Sequence, residues 1–236
     1  IAVLKQIFRQ ALKNTFVFTL LKIVLEISIS LILAVMLDMA IPLRKYLRIS
    51  YFAPVIVPVV ASSIIFMWLY DPQIGPLNQF LKFLHLPTSS FIYAEDTALV
   101  SIVLFAVWRG IGYDIIVFIS GLQGINENAI EAAKIDGASE LQIFFRIKLP
   151  LLRPVLAFVV MMGLIGCFQA FTEVDIMTDG GPNNSTILMV NYIYKQAFGN
   201  SKMGRGAAAS MVLFVIILTF TIIQKVINDR KETYDD

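Results

Sequence analysis

Five stretches of this chain, residues 15–37, 50–70, 98–122, 155–175 and 204–226, stay mostly apolar over some twenty positions each. That is the length a helix needs to cross a hydrocarbon core. Inside a bilayer the backbone must satisfy its own hydrogen bonds, which leaves only helices or a closed barrel. No long alternating apolar–polar pattern supports a barrel. The expectation is therefore an all-α, polytopic helical membrane protein whose 236 residues form a single domain. Composition agrees, with 58% hydrophobic and only 15% charged residues and a mean hydropathy of +0.77. Soluble domains carry about a quarter charged residues.

Charge and rare residues narrow the function further. The net charge of +2 comes without a basic run, so nucleic acid is excluded as a partner. Cys167 and His85 are each the sole residue of their kind. An internal disulfide, a multi-cysteine metal site and most histidine-based catalysis are thereby ruled out. No catalytic residue, metal ligand or bound cofactor is expected.

The first thirteen residues differ from the rest of the chain. Lys5, Arg9 and Lys13 recur every fourth position and stack on one helical face, while Ile1, Leu4, Phe8 and Leu12 occupy another. Two readings stand: an amphipathic helix lying in the membrane surface, or a plain extension of the first span. The opening lacks the pattern of a signal peptide. Alternating five spans places Arg44, Lys45, Arg48, Lys134, Arg146, Lys148, Arg153, Lys225, Arg230 and Lys231 on one side. On the other lie Lys5, Arg9, Lys13, Lys82, Lys195, Lys202 and Arg205. The first side is the more basic and is assigned to the cytoplasm. Five spans put the N-terminus outside; a further span ahead of residue 1 would give six and an internal start.

Between the third and fourth spans lies a polar elbow, residues 124–154. Asn126 can cap a helix whose first turn carries Glu127 near the positive end of the dipole. Glu131, Ala132 and Ala133 continue it, and Asp136 precedes Gly137, which can take a positive φ and turn the chain. Ser139 and Gln142 have the spacing of a capping box for a second short helix, with Leu141, Phe144 and Phe145 as its apolar face. Ile147, Leu149 and Pro150 come next, and Pro150 and Pro154 bracket the return into the bilayer. A helix, a glycine corner and a second helix would protrude beyond the headgroups, with small alanines and a carboxylate available to a partner.

The spacing E-A-A, three residues, G, nine residues, I-x-L-P resembles the cytoplasmic signature of the membrane-spanning subunits of bacterial ABC importers. Trp68, Gly75-Pro76-Leu77-Asn78, Trp108 and Thr178-Asp179-Gly180-Gly181-Pro182 extend the resemblance to permeases of the carbohydrate class, the maltose and glycerol-3-phosphate type. This implies a type I importer transmembrane domain in the bacterial inner membrane, with ATP and Mg on a separate cytoplasmic ABC ATPase dimer. It also implies a second permease in a heterodimer, an extracytoplasmic solute-binding protein and a sugar substrate. The segment from Asn228 lacks the glycine-rich ending common in the second permease of such pairs. Glu131, Ala132, Ala133, Asp136, Gly137, Ile147, Leu149 and Pro150 are the coupling candidates, Glu131 for contact and Gly137 for the corner.

No P-loop is present. The nearest approach, Gly199 to Gly206, puts Arg205 where the phosphate-binding lysine belongs. Ionisable groups inside spans are costly and mark functional positions. Lys22 and Glu26 stand one turn apart and can pair. Arg109, Tyr113 and Asp114 crowd the third span beside Trp108. Trp108, Tyr113, Gln169 and Glu173 combine aromatic faces with hydroxyl-binding groups and are candidate liners of a sugar pathway; interhelical hydrogen bonding accounts for them equally well. The small residues Gly204, Gly206, Ala207, Ala208, Ala209 and Ser210 permit close packing, within the subunit or against a second one. The rival function is a secondary transporter or channel, which would show broken helices and an internal repeat; neither is evident in the sequence.

Overall fold

The computed structural model describes the backbone of residues 2–38 and 44–232, and side chains over 4–38, 49–126 and 128–228. The basic side chains of Arg44, Lys45, Arg48, Arg230 and Lys231, the side chain of Glu127, Ile1 and the chain after Glu232 lie outside the described residues. Helices α1 (Ala2–Asp38), α5 (Ala98–Gln123), α9 (Arg153–Phe168) and α12 (Met203–Glu232) form the body. Shorter helices join them: α2 (Arg44–Ile56), α3 (Val59–Leu69), α4 (Pro76–Phe83), α6 (Glu127–Ile135), α7 (Glu140–Ile143), α8 (Leu149–Leu151), α10 (Thr172–Met177) and α11 (Met189–Tyr194). Among the described residues three helices, Leu4–Asp38, Ala98–Gln123 and Met203–Asn228, are long and apolar enough to cross a bilayer. Counting each of two bent helix pairs as one span raises the number to five.

α5 is the axis of the bundle. Ile102, Val103, Phe105, Ile115 and Phe118 along it are fully buried. α1 packs along its length, α2 crosses it and α9 meets it, α1 and α12. The close approaches need glycine. A Cβ at Gly112 would sit 2.1 Å from the Tyr51 carbonyl oxygen of α2, and one at Gly121 would meet the Leu152 side chain at 2.7 Å. Packing of this kind, rather than exclusion of water, holds helices together in lipid.

Of the two readings of the first residues, the plain helix extension holds: residues 4–13 form no separate helix but continue α1 without a break. Ala11 is fully buried, Phe8 meets the Tyr192 ring edge-on at 5.6 Å, and Asn14 Nδ2 donates to the carbonyls of Asn184 and Ile187, both at 3.1 Å. The helix start is thus covered by α11 and the loop before it. The second apolar stretch is not one helix. It breaks between Ile56 and Val59 with a bend of 109°. Pro58 has no N–H to give the preceding turn, and the Ser62 hydroxyl donates back to the Val59 carbonyl at 3.0 Å.

The small-residue start of α12 packs inside the subunit. A Cβ at Gly206 would come within 2.8 Å of Ala197 Cβ, and Ala209 is buried. Gly204, Ala207, Ala208 and Ser210 stay exposed. Between α1 and α5, Lys22 pairs with Glu26, whose carboxylate lies over Gly110 of α5. Asp114 is buried one turn further along.

Candidate functional site

The elbow has the local design its residues dictate. Asn126 caps α6, its side chain accepting from the Asn128 N–H at 3.0 Å. Gly137 closes the helix at φ +79, and the Ala138 N–H reaches back to the Ala133 carbonyl at 3.0 Å, the wrapped ending that a left-handed residue permits. The capping box is complete: Gln142 N–H donates to Ser139 Oγ at 3.3 Å and Ser139 N–H to Gln142 Oε1 at 2.8 Å. A wider π-helical turn, Phe144–Lys148, then leads into α8 and meets α9 at 65°.

Ile125 and Leu152, both buried, join the elbow to a core of α1 and α5 residues, with Ile130 packed against it; Ile143 is buried as well. Lys148 adds an ion pair to Asp38 at the end of α1, at 3.7 Å. Beyond this base the elbow stands out. Glu131, Ala132, Asp136 and Gly137 are exposed, Ala133, Ile147, Leu149 and Pro150 half-buried. On the apolar face of Leu141, Phe144 and Phe145, Leu141 is 71% and Phe145 60% exposed, while Ile143 is buried. Ile135, absent from the sequence-derived set, is 86% exposed at the corner. Its signal was an isoleucine in an otherwise polar turn. Ile135, Leu141 and Phe145 leave apolar surface on the elbow uncovered.

Trp108 and Tyr113 are both partly exposed on α5, but five positions apart they point about 140° from one another around the helix. Trp108 leans on Phe66 at 4.8 Å between ring centres. Arg109, Tyr113, Ile116 and Ser120 share one face at helical spacing, the last three exposed. Arg109 Nε is buried without an acceptor. Polar groups on a membrane helix belong toward a water-filled cavity or another protein, not lipid. Gln169 and Glu173 sit elsewhere, at the end of α9 and the first turn of α10.

Residues 26–233 match the family model described as binding-protein-dependent transport system inner membrane component. The chain belongs to that family. This permease is 32% identical over 223 residues to the probable ABC transporter permease protein YurN of Bacillus subtilis, covering 92% of this chain and 76% of that one. It is likewise 32% identical over 225 residues to the arabinooligosaccharides transport system permease protein AraP of Halalkalibacterium halodurans, covering 94% and 71%. Its fold superposes with a TM-score of 0.87, at 21% identity, on a chain from the crystal structure of a bacterial ABC transporter that imports the acidic polysaccharide alginate. That match covers 95% of this chain and 79% of the other. Permeases of this family are multi-pass inner-membrane subunits, not enzymes, and work with a separate ATPase and a periplasmic binding protein. The broken α2–α3 segment is a feature expected of the rival secondary transporter, but family membership does not favour that function.

Proposed function

We propose that this permease forms half of the translocation pathway of an importer for a sugar or sugar derivative, and that its elbow couples the pathway to an ATPase dimer. The observation that carries the coupling is the elbow's construction: packed and ion-paired where it joins the bundle, exposed and partly apolar where it protrudes. Closure of the ATPase on ATP would move two such elbows, one from each permease of a heterodimer, and tip the helices between inward- and outward-facing states. An equilibrium of this kind shifts only as far as the ligand's differential affinity for the two states, so a loose elbow would waste it. Glu131 supplies a fixed charge to the partner, Gly137 the corner, and Ala132 and Ala133 the room for close approach. Asp136, Ile147, Leu149 and Pro150 complete the coupling surface.

The sugar class is supported by the relative AraP, whose name assigns it arabinooligosaccharides. Tyr113 would line the pathway from the face it shares with Arg109, and Trp108 would line it from another side of α5. Gln169 and Glu173 would line a separate portion near the α9–α10 junction. The elbow side is placed in the cytoplasm, which puts the start of α1 and the loop after α10 where a binding protein would dock.

The test is uptake and ATPase activity of the assembled transporter in proteoliposomes, comparing Gly137→Pro with Lys82→Ala at the opposite end. The expected result is lost uptake with ATP hydrolysis no longer stimulated by the loaded binding protein, in Gly137→Pro alone. Normal uptake by Gly137→Pro would defeat the coupling role.

A further inference from the structure

Arg109 stands near the middle of α5 with no acidic group to meet it. The side chain is half-buried, and its Nε is buried without an acceptor. Among the described residues no carboxylate forms an ion pair with it. The buried carboxylates nearby serve another side of the helix. Glu26 pairs with Lys22 over Gly110, and Asp114 is buried as well. Five positions from Arg109, Asp114 points about 140° away from it. A guanidinium stays charged in any protein, and a charge within a span is costly unless a cavity or a partner group meets it. The face that Arg109 shares is polar toward the elbow. Tyr113, Ser120 and Gln123 are exposed within about 40° of it around the helix, with Ile116 as the apolar member.

We propose that Arg109 selects solutes bearing an anionic group, a uronate carboxylate or a phosphate ester, and holds that group with its guanidinium. The proposal rests on the reading of this face as pathway and goes beyond it, since a neutral sugar needs no such cation. Water cannot solvate the charge fully, because Nε is already out of its reach. Hydroxyl acceptors would satisfy the donors and leave the charge uncompensated, whereas an acidic solute brings the counter-charge. The planar fork of N–H donors matches the paired oxygens of either anion. Tyr113, one turn along, places a ring and a hydroxyl beside the sugar portion. The length of the stripe favours a solute over a carboxylate from the second permease. One ion pair would need Arg109 alone, not four polar groups in line.

The assembled transporter in nanodiscs can be titrated by saturation-transfer NMR with two matched pairs of probes: digalacturonate against galactobiose, and a glucose monophosphate against glucose. In at least one pair the acidic member should bind about tenfold tighter than the neutral one, the effect of one charge-assisted hydrogen-bonded contact. The pair that responds tells carboxylate from phosphate. Arg109→Gln should erase the preference, and Arg109→Lys, which keeps the charge, should retain part of it. No acidic preference in either pair, or a preference unchanged in Arg109→Gln, overturns the proposal. So does an assembled complex in which a carboxylate of the second permease pairs with Arg109. Tyr113→Ala tests the underlying reading separately: neutral probes weakened by it keep this face in the pathway even when Arg109 shows no selection.

Discussion

Asp38 ends α1 and Lys148 stands in the π-helical turn of the elbow, and their side chains form an ion pair at 3.7 Å. The pair ties the protruding element to a helix 110 positions away in the chain. It is a polar tie between elbow and bundle, beside the apolar anchors Ile125 and Leu152. Partly exposed pairs contribute about 0.5–1 kcal/mol. Lys148→Asp and Asp38→Lys should each lower uptake per ATP hydrolysed by about two- to fivefold, since 1.4 kcal/mol corresponds to a factor of ten. The double charge reversal should recover part of that loss. Additive losses in the double variant would mean that the pair does not transmit movement.

Gly137 tests the corner separately. A Cβ there meets nothing within 4 Å, so only its φ of +79 opposes substitution. Gly137→Asn should be nearly silent, because asparagine tolerates the left-handed region. Gly137→Val should cost about 1–3 kcal/mol through backbone strain and show as lowered stability of the elbow in hydrogen exchange. Equal behaviour of the two variants would remove the corner as a constraint.

Gly121 and Gly124 are three residues apart and should behave oppositely. A Cβ on Gly121 would press on Leu152 and Val155 at 2.7 and 2.8 Å, whereas one on Gly124 finds its nearest neighbour at 3.5 Å. Gly121→Val should destabilise the purified protein by about 1–3 kcal/mol, the usual cost of overpacking. Gly124→Ala should leave it unchanged. A melting curve in detergent separates the two outcomes.

The Lys22–Glu26 pair is buried between α1 and α5. Removing one partner leaves a charge without compensation, which costs about 3–5 kcal/mol, while removing both costs far less. Glu26→Gln should therefore reduce the yield of folded protein sharply, and Lys22→Met/Glu26→Leu should restore much of it. Gly110→Ala should resemble Glu26→Gln, because its Cβ would occupy the place of the carboxylate. If the double variant is as poorly folded as the single one, the pair is not the source of the loss.

Much of this molecule could be read from its residues because the signals were local. Asn126, Gly137 and the Ser139–Gln142 box act within a few positions, and each took the expected geometry. What escaped depends on neighbours remote in the chain. The start of α1 is polar on one face, yet Asn14 is buried because it holds the loop at Asn184 and Ile187. The stretch 50–70 reads as one span, and its 109° bend at Pro58 could not be predicted from composition. Arg109 stood out as a charge within a span; that its Nε lacks an acceptor depends on how α5 packs.

The central claim is that the elbow seats in an ATPase. Cys167 is the only cysteine and is buried, so single cysteines can be placed cleanly on the surface. The decisive measurement is cross-linking of the assembled transporter carrying Glu131→Cys, with Lys82→Cys as the distant control. The account predicts an ATPase adduct from position 131, weakened or strengthened by ATP, and none from position 82. A transporter that imports its substrate normally while position 131 yields no adduct in any nucleotide state would contradict it.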